Sequence, residues 1–266
     1  MKSCIVFAVS IFDKSRLYVL HEFLTTFKTY FSECDLYIGI NYNSVTDVET
    51  IIDSYKLNVF STRLTTSELY CNSDASAYQQ ALKLLKHSNN RYDLYWFAHT
   101  KGAVNDRPLE RSMYLSKLFK NRTYIESMFA DREYLGSYAL RGVSRSAAHH
   151  DWAIYNQDHE IGICSNHIDN DMQYTHVNWS YIETMYVLNK KSVETFLNIT
   201  TDIFYDRKIN EPCYFEVIFP WIVSRCGYFP YVLETDCFFG ERNLNEISKE
   251  WIRNNNLSHL TQYLIL

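Results

Sequence analysis

The N-terminal part of the chain alternates short apolar runs with longer amphipathic segments, and this alternation constrains the fold more than any other feature. Residues 4–9, 35–40 and 57–61 have the length and the β-branched or aromatic content of strands. Between them, residues 15–31 and 46–55 carry apolar side chains at helical spacing. Strands that alternate with helices pair in parallel through right-handed crossovers, so the pattern predicts an α/β fold with a mostly parallel central sheet flanked by helices.

The stretch from 91 to 102, RYDLYWFAHTKG, has the pattern of a fourth strand that ends abruptly in polar residues. Its apolar run at 94–98 is followed at once by His99, Lys101 and a glycine turn. In open α/β sheets, ligands bind outside the carboxyl ends of the strands. We therefore expect His99 and Lys101 to be held at a binding site on that edge of the sheet.

The remainder of the chain predicts further elements in a less regular order. Residues 145–174 are polar and rich in histidine, and we predict long connecting loops there. We expect one domain over 1–266, with a regular half, 1–143, and an irregular half, 144–266. The other predicted helices are 75–86, 109–130, one starting at Ser192, 211–226 and 246–266, and the other predicted strands are 134–143, 181–189 and 228–233.

Charge and cysteine content narrow the class of protein. A net charge of −5 and a pI near 6.0 argue against a general affinity for nucleic acid. No run approaches the roughly 20 apolar residues of a membrane helix, and residues 4–12 favour a buried first strand over a signal peptide. The seven cysteines form no CxxC pair, which favours free thiols in a reducing compartment. We expect a cytoplasmic protein, with attachment to a membrane surface and the oligomeric state left open.

Three motifs resemble those of a known enzyme family. HTKG at 99–102 ends the fourth predicted strand, ETMYV stands at 183–187, and EVIFPW stands at 216–221 in a predicted helix. With the order of elements, this set resembles glycosyltransferases of the GT-A fold, in particular rhamnan-synthesis F-type enzymes and related "HTKG" sugar transferases. The likeness covers most of residues 1–240. Glu183 stands where that family usually has Gly, and Val187 where it has Trp, which bears on donor or acceptor specificity more than on the fold.

The resemblance implies a nucleotide-sugar donor, with a UDP-sugar expected, and a glycan or glycoconjugate acceptor. The donor would be bound by the half at 1–143 and the acceptor by the half at 144–266. Ser10 would contact the nucleotide base, and Asp74 and Tyr78 would lie near ribose or sugar. Without the resemblance, Asp74 is a plain helix N-cap.

Handling of the diphosphate is the sharpest expectation. Most GT-A enzymes end the fourth strand with Asp-x-Asp, which binds a divalent metal, and this sequence has no such motif there. A transferase must still offset the charge that develops on the departing diphosphate. Lys101 would supply a fixed positive charge, and His99 a hydrogen bond or a metal ligand. Dependence of the activity on Mn²⁺ or Mg²⁺ stays open. The alternative to these roles is that His99 only caps the strand and that Lys101 is solvated.

Two acidic residues are candidates for a general base, which an inverting enzyme needs to take a proton from the acceptor hydroxyl. Glu216 lies in the predicted late helix, and Glu183 precedes an apolar strand. Either one could instead be a solvated surface residue. His149 and His150 with His159, or the segment 167–171 with His176, could bind a divalent ion, but their spacing matches no strong metal-binding motif.

Two other functions remain open. The chain could be another nucleotide-binding α/β enzyme, although it has neither G-x-G-x-x-G nor G-x-x-x-x-G-K-[ST]. It could also be a non-catalytic carbohydrate-binding or scaffolding module that keeps the fold without a metal motif.

Overall fold

The computed structural model describes residues 1–64, 74–103, 105–144, 179–181, 183–206, 214–226 and 228–235. The strands are β1 Ser3–Val9, β2 Asp35–Ile40, β3 Asn58–Arg63, β4 Leu94–His99, β5 Leu135–Ser144, β6 Trp179–Tyr181, β7 Tyr186–Asn189 and β8 Phe229–Thr235. The helices are α1 Leu17–Tyr30, α2 Asp47–Ser54, α3 Asp74–Ser88, α4 Pro108–Tyr114, α5 Arg122–Asp131, α6 Lys190–Ile199, α7 Asp202–Asp206 and α8 Tyr214–Arg225.

The eight strands of the described residues belong to one mixed sheet, in the order β3-β2-β1-β4-β7-β5-β6, with β8 paired to β5. β1, β2, β3 and β4 run parallel, as the alternating pattern predicts. β7 then pairs antiparallel with both β4 and β5. The chain runs outwards from β1 to β2 and β3 and then returns to β4 on the other side of β1, so the strand order reverses between β1 and β4. Open α/β sheets bind ligands at such a position.

Helices cover both faces of the sheet, which confirms the predicted α/β class. Alternate residues of β1 show the division, since Val6 packs with α3, α6 and α8 while Phe7 packs with α1, α2 and α5. The predicted division into halves at 143/144 is not tested by this packing. The predicted helix at 246–266 lies outside the described residues.

Helix α3 approaches the sheet unusually closely. A Cβ added at Gly39 in β2 would lie 1.8 Å from the carbonyl oxygen of Ala77 in α3. Ala75, Ala77 and Ala81 are all buried on this helix, so their small side chains let its backbone reach the strand. The contact fixes the height of α3 above the sheet, and with it the position of Asp74 at the start of the helix.

Two elements predicted as single are divided in the structure. The strand predicted at 181–189 consists of β6 and β7, which lie in line along one edge of β5. It breaks because Glu183 has φ 65, a left-handed conformation that an extended strand cannot contain. The helix predicted at 109–130 consists of α4, a π-helical turn at Leu115–Phe119, and α5. The short helix α7 was not predicted.

Candidate functional site

A pocket of about 230 Å³ opens at the carboxyl ends of β1 and β4. A larger cavity of about 380 Å³ lies at the opposite edge of the sheet, beside the start of β4 and β5. We place the site in the smaller pocket, because ligands of open α/β sheets bind at the carboxyl ends of strands and because polar and charged groups converge there. Its lining residues are Ser10, Asp74, His99, Thr100, Lys101, Gly102, Asn105 and Arg107.

The turn after β4 is tied to the end of β1. The backbone N–H of Ser10 donates to Oγ1 of Thr100 over 2.9 Å, and the N–H of Thr100 donates to the carbonyl of Ala8 over 3.1 Å. Gly102 follows with φ 81, where a side chain is strained, and an added Cβ would lie 2.7 Å from a guanidinium nitrogen of Arg111. The glycine therefore allows the tight turn that brings Lys101 to the pocket.

Asp74 and His99 are in direct contact across the pocket. Oδ2 of Asp74 lies 2.7 Å from Nδ1 of His99, without the alignment of a full hydrogen bond. Burial raises the pKa of the Asp74 carboxyl, but His99, the Ser10 hydroxyl and Lys101 outweigh that effect and hold the pKa below its ordinary value. Nε2 of His99 is enclosed and has no hydrogen-bond partner among the residues that the structure describes. An enclosed polar atom of this kind is costly unless a ligand or water satisfies it.

Lys101 lines the pocket, and its ammonium group forms ion pairs with two carboxylates. Its Nζ lies 2.5 Å from Oε1 of Glu183 and 3.4 Å from Oε2 of Glu110. The Lys101 side chain is 13 % exposed, so this ion pair is shielded from solvent. The sequence-based alternative of a solvated Lys101 is therefore wrong.

Glu183 occupies a strained and enclosed position between β6 and β7. It has φ 65 and is 8 % exposed, and its Oε2 is buried without a hydrogen-bond partner in the described part of the chain. Burial raises the pKa of the Tyr114 hydroxyl, and the charge of Glu183 and a hydrogen bond to it raise the pKa further. A guanidinium nitrogen of Arg141 lies 3.9 Å from Oε1 of Glu183. The alternative of Glu183 as a solvated surface residue is thus wrong.

Tyr78 and Glu216 lie behind the pocket and do not line it. The Tyr78 ring is fully buried, packs edge-on against the His99 ring at 6.5 Å between centroids, and its hydroxyl donates to the carbonyl of Thr184. Burial raises the pKa of Tyr78, as do the nearby charges of Asp74 and Glu216. Glu216, in the first turn of α8, also raises the pKa of Tyr114, so its carboxylate lies close to the residues that surround Glu183.

Four of the seven predicted site residues line the pocket: Ser10, Asp74, His99 and Lys101. Glu183 reaches it through Lys101, and Tyr78 packs against His99. Whether these residues bind a donor or take part in catalysis stays a prediction.

Sequence reasoning missed the residues that follow the fourth strand. Asn105 and Arg107 line the pocket, and Arg111 is buried with its Nε 2.5 Å from Oε2 of Glu22 and a guanidinium N–H donating to the Lys101 carbonyl over 3.4 Å. Their position directly after the fourth strand could have indicated them, because the chain that leaves the carboxyl end of a strand runs along the edge where ligands bind.

The predicted metal ligand, His99, has one potential co-ligand in Asp74. Among the residues that the structure describes, no three His, Cys, Asp or Glu side chains converge as a metal site. The histidine-rich segment at 149–176 and the Asp-Asn-Asp at 169–171 lie outside the described residues.

No family model matches this chain, and no curated protein shows a significant sequence match to it. The site therefore has to be interpreted from its own chemistry. Within the described part of the chain, no helix combines the length and the apolar character needed to cross a membrane.

Proposed function

We propose that this chain is a glycosyltransferase with a GT-A-like fold that moves a sugar from a nucleotide-sugar, a UDP-sugar in the first instance, to a glycan hydroxyl. One observation carries the proposal: Lys101, Arg107 and the enclosed imidazole of His99 line one pocket at the carboxyl ends of β1 and β4. That edge of an open α/β sheet is where nucleotides bind. The HTKG resemblance adds the reaction class.

Within this proposal the positive groups receive the diphosphate. Lys101 and Arg107 would offset the charge that develops as the nucleoside diphosphate departs. Ser10 and Asp74 would contact the nucleoside or sugar part, and Tyr78 would hold the His99 ring in place. Nε2 of His99, which has no partner among the described residues, would be satisfied by the donor or by a divalent metal that the donor brings.

The proton of the acceptor hydroxyl needs a base if the transfer inverts configuration. Glu183 and Glu216 are the acidic residues proposed for this role, and both lie around Tyr114 behind the pocket. The acceptor would approach from the half at 144–266, most of which lies outside the described residues. The cytoplasmic location expected from the cysteines stays a prediction.

A second candidate function is a non-catalytic carbohydrate-binding module. The observation that favours it is the engagement of Lys101 by Glu183 and Glu110, because a lysine whose charge is already held is less available to a diphosphate. A different nucleotide-binding α/β enzyme is the third candidate, and the same ligand screen separates all three.

The first experiment is a thermal-shift screen with UDP, GDP, dTDP and NAD, each with and without Mn²⁺. The proposal expects a rise in melting temperature with at least one nucleoside diphosphate. It is abandoned if none of these nucleotides raises the melting temperature under either condition. A rise with NAD alone would instead favour another nucleotide-binding enzyme.

The second experiment measures hydrolysis of UDP-glucose, UDP-galactose and UDP-xylose by wild type and by Lys101→Ala and Glu216→Gln. Loss of hydrolysis in both variants supports the assigned roles. Matched controls are Lys191→Ala and Glu133→Gln, exposed charges beside the cavity at the opposite edge, which should leave hydrolysis unchanged. Nucleotide binding without any hydrolysis by wild type would favour the non-catalytic module.

A further inference from the structure

The charges around Lys101 form a chain of alternating sign. It runs from Arg107 to Glu110 at 3.3 Å, to Lys101 at 3.4 Å, to Glu183 at 2.5 Å and to Arg141 at 3.9 Å. Three cations and two carboxylates leave a net charge of +1. Every cation in the chain lies within 4 Å of a carboxylate of the protein itself. A diphosphate that enters the pocket therefore meets cations that are already paired.

Lys101 is shared between the pocket and Glu183. Lys101 lines the pocket and Glu183 does not, although their charged atoms are only 2.5 Å apart. A carboxylate and a phosphate present the same kind of oxygen to an ammonium group. Glu183 thus engages the Lys101 ammonium group in the way that a phosphate oxygen of a ligand would.

Apart from its ion pairs and the hydrogen bond with Tyr114, Glu183 is in an unfavourable position. Its left-handed backbone, φ 65, costs a non-glycine residue roughly 1–2 kcal/mol. Its Oε2 is buried and has no hydrogen-bond partner within the ranges that the structure describes. A side chain that is strained and half-satisfied is easier to displace than one with a complete set of bonds.

We propose that Glu183 is an internal stand-in for a ligand phosphate, and that an anionic ligand binds by replacing the Glu183 carboxylate on Lys101. This inference rests on the proposed function, because it assigns the diphosphate of the donor to Lys101. Through the exchange Lys101 keeps an anionic partner both before and after binding. It also releases the Glu183 carboxylate only when the donor is present, so the two events occur together.

The test measures dissociation constants of inorganic pyrophosphate, UDP and uridine by calorimetry for wild type and Glu183→Gln. Removing the competing charge should tighten pyrophosphate and UDP by about tenfold and leave uridine, which has no phosphate, unchanged. Glu183→Gly is the second variant, because glycine accepts φ 65 without strain if the glutamine variant folds poorly. Glu110→Gln, at the longer distance and with a more exposed carboxylate, should give a smaller gain.

Each outcome decides a different question. If wild type binds UDP and both Glu183 variants bind it equally or more weakly, the stand-in role is overturned while the proposed function survives. If the variants gain affinity for pyrophosphate but neither they nor wild type bind any nucleotide, the stand-in role is supported and the proposed function is overturned. If no protein binds any of the three ligands, both are overturned.

Discussion

Oδ2 of Asp74 and Nδ1 of His99 lie 2.7 Å apart, so the first turn of α3 and the last residue of β4 meet through one charged contact. The contact lies on a helix that packs against β1 and β2, and on a strand that pairs with β1. The relative placement of the two side chains is therefore set by the sheet rather than by a loop.

Asp74→Asn is expected to lower the free energy of unfolding by about 1–2 kcal/mol at neutral pH, because the contact with His99 loses its charge. The pKa of Asp74 is lowered in the folded protein, so its stabilising effect is complete above the ordinary pKa of 3.8 and is lost as the pH falls through the folded value. The difference between wild type and variant should shrink below about pH 4. Urea unfolding at neutral and acidic pH measures it, and a difference independent of pH would contradict the assignment.

Glu183→Gly and Glu183→Ala both remove the carboxylate but differ in backbone freedom. Because residue 183 has φ 65, the glycine variant should be more stable than the alanine variant by about 1 kcal/mol. The comparison cancels the lost ion pair with Lys101, which both variants share. Thermal unfolding of the pair checks it, and equal melting temperatures would show that the left-handed conformation is not retained.

Gly39→Ala should destabilise the protein by about 3 kcal/mol, since the new methyl group would lie 1.8 Å from the backbone carbonyl of Ala77. The backbone of α3 would have to move away from β2, and Asp74 would move with it. Denaturant unfolding gives the free energy. The matched control is Leu109→Ala, at an 85 % exposed position, which should change stability by less than about 0.5 kcal/mol.

Tyr78→Phe removes the hydroxyl that donates to the carbonyl of Thr184. The buried carbonyl would lose this bond, at an expected cost of about 1–2 kcal/mol in stability. Tyr30→Phe, at an exposed position on α1, is the control and should have little effect. If Tyr78→Phe leaves the stability unchanged, the segment around Glu183 is held by other contacts.

The N-terminal βαβ order followed directly from the sequence because its signals are local. Apolar periodicity and strand length predict β1, β2, β3 and β4 to within a few residues of their observed ends. The break between β6 and β7 could not be predicted in that way. YIETMYVLN has the pattern of one apolar strand. The left-handed backbone at Glu183 occurs at a residue whose ion-pair partner, Lys101, lies far away in the sequence.

The position of the candidate site could be predicted from the sequence, but the contacts between its side chains could not. The polar end of β4 points to His99 and Lys101, because strand ends bind ligands. The pairing of Lys101 with Glu183 and the burial of Arg111 depend on the order of strands in the sheet, which single-sequence patterns do not specify. The proposed reaction class, which depends on the resemblance to HTKG transferases, gives no information on those contacts.

The antiparallel position of β7 between β4 and β5 has a consequence for how the protein folds. β1 to β4 are joined by short crossovers and can pair early, whereas β7 must return from much later in the chain to meet β4. Lys101 meets Glu183, and Tyr78 meets Thr184, only after that return. The residues that line the pocket all precede β7, so the return of β7 adds none of the lining. It completes the burial of Lys101 against Glu183 and gives the Tyr78 hydroxyl its acceptor.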